Sequence, residues 1–224
     1  MIRAGCVIFS GGTIDLPFAR RVLAEQTDER TILIAADRGL RAMDALGVRP
    51  DWLVGDFDSV GDGFSAKVEA LRSDPDCHVV TLVPEKDDTD TEHAVDIALS
   101  ETAGDIVILG GTGTRMDHVL GNLCICGKGK ESGRRIYLED PHNRIFLLFS
   151  DTVLRRREAF GRYVSLIPFG EEVTGLTLTG FKYPLSGARL SGFSSQGISN
   201  ELTAEEGHIS FSCGTLICVE SCDG

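Results

Sequence analysis

Closely spaced aspartates are the residues of this sequence best suited to chemistry. Asp56 and Asp58 are separated by one residue, so both carboxylates can point to the same side at the end of a strand. Two carboxylates this close repel and raise each other's pKa unless a cation lies between them. Magnesium takes one or two carboxylates together with waters and phosphate oxygens. The pair is therefore a candidate magnesium site, and the alternative is a solvated turn, where Asp and Ser are common.

A second acidic segment, DDTDTE, spans residues 87–92. Thr89 and Glu92 have the spacing of a capping box, and acidic residues in a first helical turn complement the helix dipole. Capping accounts for Glu92, but it does not explain why Lys86 and three aspartates crowd the same turn. We expect Asp90 to be functional, because it follows a strand at the same edge as Asp56.

A glycine-rich segment, GGTGTR, spans residues 110–115. Such a loop opening a helix presents backbone N–H groups to an anion. It lacks the spacing of a Walker A loop, and Met116 stands where a dinucleotide fingerprint needs its third glycine. Arg115 adds a planar, permanent cation suited to phosphate. Asp117 and His118 follow in the first turn of the helix, where a capping or packed role for His118 is the alternative.

Alternating strands and helices must position these loops. Short apolar runs separated by helical patterns indicate βαβ units and a mostly parallel sheet. The runs are residues 6–9, 31–35, 52–54, 78–83, 105–109 and 135–138. Five of them are followed by Gly or Asp at the carboxyl end, where open α/β sheets bind ligands. The aspartates and the glycine loop are therefore predicted to converge on one edge.

The pattern changes near residue 142. Short strands separated by Gly, Pro and Ser predict a small all-β sandwich. These strands are residues 145–149, 163–167, 176–178, 208–212 and 216–219. We therefore expect an α/β catalytic, nucleotide- and metal-binding domain over residues 1–142 and a β-sandwich domain over residues 143–224.

Composition narrows the functional classes. The formal net charge of −12 disfavours nucleic-acid binding and implies that a divalent cation mediates contact with a small phosphorylated ligand. No apolar run is long enough for a membrane span, and the first residues lead directly into a strand, so no membrane association and a cytoplasmic location are expected. The seven cysteines form no CxxC pair and are expected to be free thiols.

The motifs together resemble those of the thiamine pyrophosphokinase family. The resemblance covers nearly the whole chain in order, and the GDFDS and TGTRMDH segments are the most specific in combination. The matching segments are AADRG (35–39), DWLVGDFDS (51–59), KDDTDTE (86–92), GTGTRMDH (111–118), SLIPFGEEVTGLTLTGFKYPL (165–185) and SNE (199–201).

This resemblance implies transfer of pyrophosphate from ATP to the hydroxyl of thiamine, giving thiamine diphosphate and AMP. It implies Mg²⁺ on Asp56, Asp58 and Asp90, with Asp58, Asp90 and Arg115 as the catalytic group. The nucleotide site would comprise Asp37, Lys86, Thr89, Gly111, Thr112, Gly113, Arg115, Asp117 and His118. Ser199 and Asn200 would contact thiamine, which the family binds near the interface of a homodimer. Arg38 and Thr114 depart from the family pattern, which often has Gly at these positions.

Three alternatives fit the same residues less completely. A pyrophosphokinase for another alcohol, such as a hydroxymethyl pterin, would share the catalytic logic but differ in the C-terminal domain. A magnesium-dependent phosphohydrolase would use Asp56 or Asp58 as a nucleophile. A nucleotide-sensing module would bind ATP without converting it, and the complete carboxylate set argues against it.

Overall fold

The computed structural model describes residues 2–57, 63–83, 88–113 and 115–224. The chain divides into two compact units, Met1–Pro141 and His142–Gly224. Within the described residues, no helix is both long enough and apolar enough to cross a membrane.

The first unit is built on a parallel sheet. Its strands are β1 (Ala4–Phe9), β2 (Ile32–Ala36), β3 (Trp52–Gly55), β4 (His78–Thr81), β5 (Asp105–Leu109) and β6 (Ile136–Glu139). In this unit the strand order is β6-β5-β1-β2-β3-β4, and every neighbouring pair is parallel. The mostly parallel α/β fold predicted from the sequence is confirmed.

Strand β1 lies where the chain reverses its direction of travel across this sheet. From β1 the chain adds β2, β3 and β4 on one side, and it then crosses back to add β5 and β6 on the other. The loop after β1 and the loop after β5 therefore lead away from each other and leave a crevice between them. This arrangement is the topological switch point at which open α/β sheets bind ligands.

Local signals explain where the helices of this unit begin and end. The helices are α1 (Leu16–Gln26), α2 (Gly39–Leu46), α3 (Ser65–Arg72), α4 (Asp90–Glu101), α5 (Met116–Ile125) and α6 (Gly129–Ser132). Asp15 caps α1 by accepting the Phe18 N–H at 2.8 Å, and Thr89 caps α4 by accepting the Glu92 N–H at 3.2 Å. Gly47 ends α2 with φ +71°, which a glycine adopts at little cost.

The core of the first unit is made by strands that are apolar along their whole length. Ile8, Ile34, Leu53 and Ile108 are completely buried, as expected for strands covered on both faces. At the start of β3, the ring of Trp52 lies 4.5 Å from that of His78, measured between centroids.

The second unit contains eight antiparallel strands among its described residues. They are β7 (Asn143–Leu148), β8 (Thr152–Arg155), β9 (Tyr163–Pro168), β10 (Val173–Thr179), β11 (Leu185–Leu190), β12 (Asn200–Glu201), β13 (Glu206–Ser210) and β14 (Leu216–Ser221). Strands β12, β9, β14 and β7 are neighbours in that order, and a second sheet has the order β11-β10-β13-β8. Leu166 and Cys218 of the first set and Leu176 and Ile209 of the second are buried. The predicted all-β class of this region is confirmed.

Candidate active site

A cleft of about 810 Å³ opens at the carboxyl edge of the parallel sheet. It is lined by the loops that follow β1, β2 and β5, by the first turns of α4 and α5, and by one face of α2. The lining residues are Ser10, Gly11, Gly12, Thr13, Ile14, Leu16, Asp37, Arg38, Arg41, Ala42, Ala45, Thr89, Asp90, Thr91, Gly110, Gly111, Gly113, Arg115, Asp117, His118, Gly121 and Asn122. The site thus lies at the topological switch point.

Glycines allow the loops around this cleft to pack backbone against backbone. A Cβ on Gly12 would overlap the carbonyl oxygen of Gly110, and a Cβ on Gly39 would overlap that of Phe9. A Cβ on Gly55 would lie 3.3 Å from the Cα of Asp37. The loops after β1, β2, β3 and β5 are therefore close neighbours because these positions carry no side chain.

Two buried side-chain hydrogen bonds fix the loops further. The hydroxyl of Ser10 lies 2.7 Å from that of Thr91, which joins the loop after β1 to the first turn of α4. Asn122 Nδ2 donates to the carbonyl oxygen of Gly111 at 2.9 Å, which anchors the glycine loop to α5. The loop after β1 and the glycine loop are thus each tied to a helix that borders the cleft.

Three of the predicted aspartates, Asp37, Asp90 and Asp117, line the cleft. Asp37 follows β2 with φ +48°, and its N–H donates to the carbonyl of Val54 at 2.8 Å. Asp90 is the first residue of α4 and is half-buried. Asp56 follows β3 directly and is half-buried, but it is not among the lining residues.

The three-aspartate magnesium site stays a prediction. Asp58 falls outside the described residues, and within them no three carboxylate, imidazole or thiol groups gather around one point. The donor chemistry fits the ion, since Asp56 and Asp90 offer carboxylate oxygens and magnesium needs only one or two of these beside phosphate and water.

Arg115 and Asp117 form a bidentate ion pair in the lining of the cleft. Arg115 Nε and Nη2 donate to Asp117 Oδ1 and Oδ2 at 3.2 and 2.6 Å. These side-chain hydrogen bonds raise the pKa of Arg115 and lower the pKa of Asp117. Asp117 Oδ1 also accepts the His118 N–H at 3.0 Å. A charged guanidinium that lines the cleft is therefore held in place by Asp117.

The remaining nucleotide-site predictions are distributed as follows. Thr89, Gly111, Gly113 and His118 line the cleft, whereas Thr112 is half-buried and does not. Lys86 lies outside the described residues, as does Thr114.

Ser199 and Asn200 belong to the second unit. Ser199 is exposed with φ +56°, and its N–H donates to Ser165 Oγ at 2.9 Å. Asn200 is buried, and its side-chain amide bonds both backbone groups of Tyr183, at 3.0 Å to the N–H and 2.9 Å to the carbonyl. The amide of Asn200 thus shapes the chain around it, and Ser199 presents the more accessible surface.

Several cleft residues were not predicted from the sequence. Ser10 and Thr91 form a hydrogen bond across 81 positions, which no local pattern reveals. Asn122 lies one turn beyond His118 on α5, and Arg41 one turn into α2. Helical spacing from the predicted residue His118 was the available signal for Asn122, whereas Asp37 lies outside α2 and gave no such signal for Arg41.

The fold and the cleft define a class of protein. A parallel α/β sheet with glycine loops, an oriented arginine and aspartates at its switch point is typical of an enzyme that handles a phosphorylated nucleotide. The family model described as "Thiamin pyrophosphokinase, catalytic domain" matches residues 23–138, and that described as "Thiamin pyrophosphokinase, vitamin B1 binding domain" matches residues 151–216.

Individual relatives agree with the family models. A thiamine pyrophosphokinase from Bacillus subtilis (strain 168) is 38% identical over 201 residues, which cover 90% of this chain and 92% of the relative. The crystal structure of thiamine pyrophosphokinase from Bacillus subtilis has a TM-score of 0.86 at 37% identity, covering 98% and 99% of the two chains. That of thiamin pyrophosphokinase from Geobacillus thermodenitrificans has a TM-score of 0.83 at 35% identity, covering 100% and 99%.

The chain belongs to the thiamine pyrophosphokinase family. Membership indicates thiamine diphosphokinase activity, and neither the pterin pyrophosphokinase nor the phosphohydrolase alternative is favoured.

Proposed function

We propose that this chain transfers the pyrophosphoryl group of ATP to the hydroxyl of thiamine in the cleft of the first unit. The observation that carries the proposal is the position of the cleft, which joins glycine loops, aspartates and Arg115 at the switch point of the sheet. Family membership supplies the acceptor, since one matched segment is a vitamin B1 binding domain.

The glycine loops would hold the triphosphate. Backbone N–H groups near Gly12, Gly111 and Gly113 would supply donors, since these glycines line the cleft. Arg115 would exchange part of its contact with Asp117 for the transferred group, and Asp37, Lys86, Thr89 and His118 would complete the nucleotide site.

Asp56, Asp58 and Asp90 would hold magnesium. When bound, the ion offsets the charge of the phosphate oxygens. Because the chain carries a formal net charge of −12, such neutralisation favours binding of a polyphosphate to this acidic protein.

The transfer itself needs mainly orientation and charge stabilisation. The hydroxyl oxygen of thiamine forms a bond to the β-phosphorus, and the bond from that phosphorus to the bridging oxygen of the α-phosphate breaks. AMP leaves with the bridging oxygen and its electron pair. The hydroxyl proton passes to a carboxylate, for which Asp58 and Asp90 are the candidates, and Arg115 stabilises the transferred group.

The second unit would bind thiamine through Ser199 and Asn200. The geometry around Asn200 favours a supporting role for its amide, which holds the backbone next to Ser199. We further propose that the chain acts as a cytoplasmic homodimer, with thiamine near the interface, as the family resemblance implies.

The decisive experiment combines the protein with ATP, Mg²⁺ and thiamine and follows thiamine diphosphate and AMP. We expect equimolar formation of both products, dependent on thiamine and abolished by removing divalent cations. Formation of thiamine monophosphate and ADP would refute pyrophosphoryl transfer. Release of phosphate without thiamine, with a trapped phosphoaspartate, would support the phosphohydrolase instead.

A further inference from the structure

Arg38 stands apart from the other two arginines of the cleft. Arg115 is engaged by Asp117, and the guanidinium of Arg41 lies 5.6 Å from the ring centroid of Phe64. Arg38 is exposed, and among the residues that the structure describes no carboxylate forms an ion pair with it. A cation that lines an anion-binding cleft without an acidic partner is available to a ligand.

The backbone of Arg38 places it beside the glycine loops. A Cβ on Gly11 would lie 3.9 Å from the backbone nitrogen of Arg38 and 4.0 Å from its Cβ. Because β2 and β5 border β1 on opposite sides, Arg38 and Arg115 flank the loop after β1 from opposite sides. A polyphosphate lying over this loop would have an arginine at each end.

One face of α2 indicates which end of the nucleotide lies near Arg38. Arg38, Ala42 and Ala45 have the spacing of one helical face, and all three line the cleft. Ile14 and Leu16 add apolar surface to the same cleft. Apolar walls suit a nucleobase, whereas the phosphates require the glycine loops and cations. The base would therefore lie along α2, with the nearest phosphate beside Arg38.

We propose that Arg38 binds the α-phosphate of the nucleotide, which becomes the phosphate of the leaving AMP. The guanidinium offers two parallel donors to phosphate oxygens, a geometry that Lys does not reproduce. The inference rests on the proposed function, because it takes the ligand to be an adenine nucleotide. It assigns a specificity role to a position where the family often has Gly.

The test compares Arg38→Ala and Arg38→Lys with Arg20→Ala by calorimetric titration. Arg20 is an exposed arginine of α1 outside the cleft, so its variant reproduces the change in charge. Arg38 makes no side-chain capping bond to α2, so its truncation should leave the fold intact. The probes are AMP, ATP with Mg²⁺, and inorganic pyrophosphate.

We expect Arg38→Ala to weaken AMP and ATP binding by about 10-fold to 100-fold, the range for a hydrogen bond to a charged group. Arg38→Lys should lose less affinity, and pyrophosphate binding by the Arg38 variants should match that of Arg20→Ala. Weaker pyrophosphate binding with unchanged AMP binding would overturn the assignment, as would equal affinities in the Arg38 and Arg20 variants.

The role of Arg38 and the proposed reaction can be refuted separately. Wild-type protein that binds AMP and forms thiamine diphosphate, with Arg38→Ala unaffected in binding, refutes the role of Arg38 alone. A tenfold loss of AMP binding in a protein that makes no thiamine diphosphate would refute the proposed reaction and leave the role of Arg38 standing. Wild-type protein that binds neither AMP nor ATP refutes both.

Discussion

Asp56 carries one of the carboxylates on which the proposed chemistry depends. We predict that Asp56→Asn lowers kcat by at least about 10²-fold, the size typical for loss of one group that stabilises developing charge. The fold should persist, because Asp56 is half-buried at the end of a strand and not in the core. Thiamine diphosphate formation at limiting Mg²⁺, together with circular dichroism, would check both parts.

The control for this variant is Glu25→Gln, which removes an exposed charge on α1 outside the cleft. Normal turnover of Asp56→Asn at limiting Mg²⁺ would contradict the assignment of this residue to the metal.

The hydrogen bond between the hydroxyls of Ser10 and Thr91 should contribute measurably to stability. Ser10→Ala or Thr91→Val alone leaves one buried hydroxyl without its partner, which costs about 1–3 kcal/mol of unfolding free energy. The double variant should lose less than the sum of the single losses, because both polar groups are then gone. Urea unfolding of the four proteins measures the coupling, and Thr91→Ser should retain most of the stability. Strictly additive losses would show that the 2.7 Å contact is energetically silent.

Site residues could be predicted where they lie at the end of a strand that the apolar pattern reveals. Asp37 and Asp90 follow or begin elements whose ends the apolar pattern reveals, and both line the cleft. Ser10, Thr91 and Asn122 were not predicted, because their roles arise from tertiary contacts between distant segments. Thr112 was implied by the family resemblance together with Gly111 and Gly113, yet membership of the glycine loop alone does not determine which side chain faces the cleft.

The packing of whole loops makes Gly12 critical. We predict that Gly12→Ala lowers the free energy of unfolding by about 1–3 kcal/mol, the usual cost of overpacking, because the new methyl group would overlap the Gly110 carbonyl. ATP affinity should also fall, since the loops after β1 and β5 would have to separate. Thermal unfolding and ATP titration would measure the two effects.

Gly127→Ala is the matched control, because a Cβ at that position meets nothing within 4 Å. It should be neutral or slightly stabilising. Equal behaviour of the two variants would refute the close packing of the glycine loops.

Strand β12 has only two residues, and a pair of cations holds its Glu201. Lys182 Nζ and Arg162 Nε donate to the carboxylate at 2.7 and 2.9 Å, and these side-chain hydrogen bonds lower the pKa of Glu201. A carboxyl whose folded pKa is depressed stabilises the fold above its unfolded pKa, about 4.3 for Glu, and loses that contribution as pH falls through the folded pKa.

We therefore predict that Glu201→Gln unfolds at lower urea concentration than the wild type between about pH 6 and pH 8, with a gap that narrows below about pH 4. Glu205→Gln, at an exposed neighbouring position, should show no such dependence. A gap that widens on acidification would show that the ion pairs do not stabilise the native state.

Strands were likewise predicted where the local sequence pattern was sufficient and missed where pairing with a distant strand decides the structure. Asp105–Leu109 was predicted with its observed limits, because a strand buried on both faces is apolar throughout. Strands β8, β11 and β12 were missed. Each lies at the end of its strand order in the second unit, where exposure on one side weakens the alternation. An edge strand forms because it pairs with a neighbouring strand, and a local sequence pattern does not reveal that neighbour.

At the scale of the whole molecule, the reactivity of each cysteine thiol depends on its burial. Burial raises the pKa of Cys6 and Cys77, and that of Cys126 to about 12, so these groups stay protonated and unreactive at neutral pH. Cys124 and Cys213 are exposed. We predict that two thiols react rapidly with a chromogenic disulfide in the native protein, Cys222 more slowly, and the other four only on unfolding.

Counting the released chromophore with and without denaturant checks this prediction. Rapid reaction of more than three thiols in the native protein would contradict the burial of the core. Protection of Cys124 that disappears on dilution would instead locate α5 near the interface of the proposed homodimer.

Trp52 is the sole tryptophan of the chain, and it belongs to the first unit. Its emission is consequently an intrinsic optical reporter of the first unit and does not report on the second unit. Far-ultraviolet dichroism sees both halves. Superimposable melting curves from the two signals would mean that the halves unfold as one cooperative unit, and separated curves would give each half its own transition without any label.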